Sequence, residues 1–164
     1  MHLELDDYRD ELLRAAPALA ATLDASFHEA ARTMSAAGLK DWLDGARGLI
    51  GLGKGPALLE TYLDEMPLVA RECGEAVIRD AVHAVMNLAS LVSGEVLTLV
   101  FATLPTAARR LGDAELLRAY LALLHRLASR APRGLRPMLG ALDELLGKLT
   151  LSGLRRWVDF GAEA

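Results

Sequence analysis

The sequence predicts an all-α protein, a HEAT- or armadillo-like helical repeat solenoid of about eight or nine helices, and three observations carry that reading. The first is a repeated segment. Pro67-Leu-Val-Ala-Arg-Glu-Cys-Gly-Glu-Ala returns 38 residues later as Pro105-Thr-Ala-Ala-Arg-Arg-Leu-Gly-Asp-Ala, a shift typical of helical repeat arrays. The second is composition: 52% hydrophobic and only 5% aromatic, with Leu and Ala dominant, where a sheet protein favours Val, Ile, Tyr and Thr. The third is spacing, since apolar residues recur at helical intervals between Gly and Pro breaks.

Taken in order, Leu5 to Ala15 reads as a short acidic helix with Leu5, Tyr8, Leu12 and Leu13 on one face. Pro17 restarts the chain, and Leu19, Leu23, Phe27, Ala30, Ala31 and Met34 form the next stripe, which Ser35-Ala-Ala-Gly38 breaks. Leu39, Trp42, Leu43, Ala46, Leu49 and Ile50 follow, ended by Gly51-Leu-Gly-Lys-Gly-Pro56. Pro56 suits a first helical turn and introduces Leu58, Leu59, Tyr62, Leu63 and Met66. A corner over Pro67–Gly74 leads to Val77, Ile78, Ala81, Val82, Val85, Met86 and Leu88. A helix from Gly94 carries Val96, Leu97, Leu99, Val100, Phe101 and Leu104, and a second corner precedes Leu116, Leu117, Tyr120, Leu121, Leu124 and Leu127. Pro132-Arg-Gly134 reads as a turn before Leu135, Met138, Leu139, Leu142, Leu145, Leu146 and Leu149; the last helix begins near Ser152, a plausible N-cap.

The glycines set the period. Gly55, Gly94 and Gly134 are spaced 39 and 40, and Gly38, Gly74, Gly112 and Gly153 are spaced 36, 38 and 41. The outermost pair share neighbours, Trp42 matching Trp157, so these two tryptophans are expected as equivalent buried anchors. The chain is therefore expected to be one domain, with an irregular cap over 1–36 and repeats of about 38–40 residues over 37–164. No repeat can bury its apolar face alone, so stacking supplies the core.

Charge is uneven. Residues 1–104 hold 8 Lys+Arg against 16 Asp+Glu, while residues 105–164 hold 10 against 6. An acidic front and a basic rear give the array an electrical direction that favours one docking orientation. The basic excess is small and lacks interleaved aromatics, so nucleic acid is not an expected partner. Between Asp80 and Arg109 there is no Lys or Arg, but Ser93-Gly-Glu95 splits the run into pieces too short for a bilayer, and no membrane insertion is expected. The acidic start shows no secretory pattern, which points to the cytoplasm. The lone Cys73 excludes an internal disulfide.

No catalytic, cofactor or metal motif emerges. Gly51–Pro56 follows a helix and lacks the Gly-Lys-Ser/Thr of a phosphate loop. Histidines at 2, 28, 83 and 125 have no partners in a ligand pattern; Asp80 and His83 share a helix face but want a third and fourth ligand. The interaction candidates are basic. Arg126 and Arg130 lie one turn apart, Arg133 and Arg136 follow across Pro132, and Arg155 and Arg156 sit in the last helix. Guanidinium groups pair bidentately with carboxylates; the competing role for these side chains is to offset a helix C-terminal dipole, worth about 0.3–1 kcal/mol.

Leu104-Pro-Thr-Ala-Ala-Arg-Arg-Leu-Gly-Asp-Ala-Glu-Leu-Leu-Arg-Ala-Tyr120, Ala131-Pro-Arg-Gly-Leu-Arg-Pro137 and Leu149-Thr-Leu-Ser-Gly-Leu-Arg-Arg-Trp157 give the chain its family likeness. It resembles, over most of residues 35–164, the N-terminal helical region of the NorD/CbbO family, von Willebrand A-domain proteins that partner MoxR-type AAA+ ATPases in nitric oxide reductase or Rubisco activation. The resemblance implies a non-catalytic adaptor linking a MoxR-family ATPase to a client enzyme, with no cofactor. The von Willebrand A domain itself is absent from the sequence, so its metal-dependent binding does not carry over; the chain is expected to be an excised domain or a stand-alone relative. A second reading is a helical domain holding a small apolar ligand in a cavity between helices.

Overall fold

The computed structural model describes residues 10, 14, 17, 20–142, 144, 153 and 156. Seven helices, and no strand, occupy the described residues: α1 (Ala20–Thr33), α2 (Ala36–Leu52), α3 (Pro56–Cys73), α4 (Val77–Leu88), α5 (Gly94–Leu111), α6 (Ala114–Arg130) and α7 (Pro132–Gly140). Of the helices expected over Leu5–Ala15 and from Ser152, only Asp10, Arg14, Gly153 and Arg156 are described, each in helical conformation, and Trp157 lies outside the described residues, as does the rest of both segments.

Local chemistry sets the boundaries. Ser35 and Ser93 cap α2 and α5, their hydroxyls accepting from the Gly38 and Val96 amides, and Asp113 accepts from the Glu115 amide at the start of α6. Such caps satisfy amides that have no partner within the helix. At the other ends, α2 and α5 stop at Gly53 and Gly112, both left-handed with φ near +64° and +62°, a conformation that costs glycine nothing.

The helices form two layers. α1, α3, α5 and α7 pack in succession in one layer, and α2, α4 and α6 in the other; the contact between α3 and α5 is the most extensive. The core lies between the layers. It holds Trp42, Tyr62, Met66, Phe101 and Tyr120 with a large set of Leu and Val, all nearly inaccessible to solvent. The Tyr62 and Phe101 rings meet edge to face at 5.2 Å, joining α3 to α5. Tyr62 also donates to the Trp42 carbonyl at 2.6 Å, tying α3 to α2.

Side-chain bonds that join neighbours within a layer recur at one spacing. Asp41 receives Arg79 at 3.0 Å and Asp80 receives Arg118 at 2.6 Å, linking α2 to α4 to α6 across 38 residues each time. Ser26 donates to Asp64 across the same separation, linking α1 to α3. Glu75 reaches back 40 residues, where its carboxylate accepts from the Ser35 amide and hydroxyl over the first turn of α2. Gly38 makes room for that carboxylate: a Cβ there would stand only 1.6 Å from a Glu75 oxygen.

Several sequence-based boundaries need correction. Pro67 and Pro105 do not turn corners; α3 and α5 run through them to Cys73 and Leu111. An internal proline removes a helical hydrogen bond and costs about 3 kcal/mol. Beyond each one lie side chains whose burial requires the helix to continue: Val69 and Ala70 after the first, Ala107, Ala108 and Leu111 after the second. At these two corners the chain turns after the helix, at Gly74–Ala76 and Gly112–Asp113. Pro132-Arg-Gly134 is likewise the first turn of α7 and not a loop, as proline at a first helical position permits. The expected break at Ser35 is present, α1 ending at Thr33, but Ala36–Gly38 already form the first turn of α2; Ala31 and Met86, placed on apolar stripes by spacing, are exposed.

Candidate interaction surface

The outer face of α2, α4 and α6 carries two grooves. Between α4 and α6 runs an open groove of about 420 Å³, lined by Asp80, His83, Ala84 and Asn87 on one side and Arg118, Leu121, Ala122, His125 and Arg126 on the other. Spacings of three and four residues place each set on one helix face. The groove exists because its facing inner positions, Ala84 and Ala122, are too small to close it.

A second groove of about 300 Å³ lies between α2 and α4, and His83 borders both. Gly45 and Gly48 form its α2 side, with Met86 across from Gly48. Its charged groups are Asp41, Asp44 and Arg79, so it carries excess negative charge. The α4–α6 groove carries the opposite excess: two arginines against Asp80, which is itself held by Arg118. That ion pair strengthens the hold of the Arg118 guanidinium on its proton, raising an already high pKa through the hydrogen bond to Asp80. The change of sign from α2 to α6 follows the acidic-to-basic trend of the sequence.

The basic side chains singled out from the sequence are not one cluster. Arg126 is half-buried and borders the α4–α6 groove. Arg130 is exposed in the last turn of α6, and Arg133 is exposed in the first turn of α7. Arg136 pairs with Glu95 of α5, the neighbour of α7 within its own layer, at 2.6 Å. Arg156 is exposed, and Arg155 lies outside the described residues. The sequence reading missed His125, Asn87 and the two alanines of the groove. The recurrence of Asp41/Arg79 as Asp80/Arg118 was a usable signal for the face as a whole.

The α4–α6 lining offers hydrogen-bond donors and acceptors, and among the described residues it holds no Ser, Thr or Cys nucleophile. Among the described residues no group of three or more His, Cys, Asp or Glu is placed to hold a metal, and no helix is long and apolar enough to cross a membrane. Cys73 is half-buried, its sulfur 3.6 Å from the Ala108 carbonyl, and desolvation pushes its thiol pKa up. That environment disfavours the reactive thiolate.

An all-α protein with a grooved, charge-graded face is the class these features define. No family model, curated protein or solved structure matches the chain.

Proposed function

We propose that the chain is a HEAT- or armadillo-like repeat module that works as a non-catalytic adaptor in the cytoplasm, linking a MoxR-type AAA+ ATPase to a client enzyme. One observation carries the repeat reading: helices stack with their second neighbours, and side-chain bonds between stacked helices recur at a separation of 38 residues. Arrays of this kind present extended surfaces for partners, and the grooved face of α2, α4 and α6 offers one. The ATPase partner comes from the likeness of Leu104–Tyr120, Ala131–Pro137 and Leu149–Trp157 to the NorD/CbbO helical region.

The test is size-exclusion chromatography with light scattering on mixtures of the chain and a MoxR-type ATPase hexamer, with and without ATP. The expected result is a complex that dissociates in about 0.5 M salt, where exposed charges are screened, and that Arg126→Glu/Arg130→Glu weakens. Absence of a complex in both nucleotide states overturns the ATPase assignment.

A further inference from the structure

We propose that the α4–α6 groove receives an acidic side chain from a segment of a protein partner lying across α2, α4 and α6. This rests on reading the chain as an interaction module and specifies the chemistry of that surface. Among the described residues the groove's one carboxylate, Asp80, is engaged by Arg118 at 2.6 Å. The remaining polar lining is His83, Asn87, His125 and Arg126, all able to donate hydrogen bonds, arranged around a floor of Ala84, Leu121 and Ala122. A carboxylate entering between the two helices meets N–H groups from both sides, and charge-assisted bonds of this kind are the strong ones. The side chain's own methylenes would rest on the alanines.

The neighbouring groove decides between classes of partner. A nucleic-acid backbone crossing the face would carry negative charge onto Asp41 and Asp44 as well, and that repulsion opposes it. A protein segment can change sign between adjacent grooves, which lie one helix spacing apart, about 8–10 Å. The fitting partner is therefore a segment with a carboxylate over α4–α6 and a neutral or basic residue some three extended positions away over α2–α4.

The experiment titrates the isotope-labelled full chain with a short blocked peptide of glutamate and alanine, and with its glutamine twin, following backbone amide signals. The expected result is that signals of the groove-lining residues of α4 and α6 move with the glutamate peptide, and that the twin binds at least about tenfold more weakly, the loss of one charge-assisted bond. Ala122→Leu, an exposed helix position that fills the groove without touching the core, should weaken the glutamate peptide to a similar extent. Arg32→Glu, exposed on α1 and bordering neither groove, should change it less than twofold. Equal binding of the two peptides, shifts centred elsewhere, indifference to Ala122→Leu, or no binding each overturn the proposal. A hexamer complex formed by a chain that ignores the peptide removes the groove assignment alone. Peptide binding without a hexamer complex keeps the groove and removes the ATPase.

Discussion

Gly38 and Glu75 should be energetically coupled across two helices, and a double-mutant cycle measures it. The Glu75 carboxylate lies over the N-terminus of α2, accepting from the Ser35 amide at 3.2 Å and the Ser35 hydroxyl at 3.0 Å. An alanine at 38 would put its Cβ 1.6 Å from the carboxylate oxygen and 2.4 Å from Cδ. The far end of a glutamate is flexible, so the side chain swings away and the cost is the lost cap, about 1–2 kcal/mol. Against this stands the gain from replacing glycine by alanine in a helix, about 0.5–1 kcal/mol. The two partly offset, so Gly38→Ala alone should be neutral or destabilising by up to about 1.5 kcal/mol. With Glu75→Ala already in place nothing remains to displace, and Gly38→Ala should then stabilise by about 0.5–1 kcal/mol. The sign of one substitution thus depends on a residue 37 positions away. Urea unfolding followed by far-UV circular dichroism on the four proteins gives the coupling, expected at about 1–2 kcal/mol. Equal effects of Gly38→Ala in both backgrounds would refute the trans-cap.

Pro105→Ala should raise stability by about 1–3 kcal/mol in the same assay, because α5 continues through the proline and regains a helical amide; a fall would show that the proline shapes a corner after all. Tyr62→Phe removes the bond to the Trp42 carbonyl between two fully buried groups and should cost about 1–2 kcal/mol. Gly45→Ala should also destabilise, since its Cβ would lie 2.2 Å from the Tyr62 hydroxyl and 2.7 Å from a Val82 methyl; thermal melts check both. Glu65 has its pKa raised by partial burial, with Asp64 adding to it. A carboxyl whose folded pKa is raised contributes stability that is present below its unfolded pKa and is lost as pH rises through the folded one. Glu65→Gln should therefore flatten a slight decline in stability just above the usual carboxylate range, read from denaturation midpoints across acidic pH.

The apolar stripes made α2 through α6 legible because the core lies between two layers and each helix buries one face. Leu39, Trp42, Leu43, Leu58, Tyr62, Val77, Ile78, Leu97, Phe101, Leu117 and Tyr120 are all buried, as their spacing implies. The prolines were misread because local chemistry argues for a break at Pro67 and Pro105, whereas the apolar residues that follow them belong to the same buried face. Met86 was misread for a different reason. It continues the stripe of α4 by spacing, but it falls on the side that faces Gly48 across the outer groove. Glu75 looked like an ordinary acidic residue after a turn; its partner at Ser35 could be known only once α2 and α4 were packed side by side. The basic candidates fared unevenly because spacing along α6 and α7 does not reveal which neighbour each faces, and Arg136 faces α5.

Small residues have opposite consequences on the two sides of α2 and α4, and this gives the surface its form. Toward the core, Gly45 permits an approach so close that any side chain would collide with Tyr62 and Val82. That contact fixes α2 against α3 and α4. Toward solvent, Gly48, Ala84 and Ala122 leave space that no neighbour fills, and the grooves result. A longer side chain at the exposed Ala122 would be compatible with the helix itself, whereas Ala84 also packs against the core and a Cβ at Gly48 would already touch Met86. The walls of the grooves are held by Asp41–Arg79 and Asp80–Arg118, exposed ion pairs of a kind that adds little to stability. A rigid inner contact and an unfilled outer one therefore arise from the same residue types, separated only by which face of the helix they occupy.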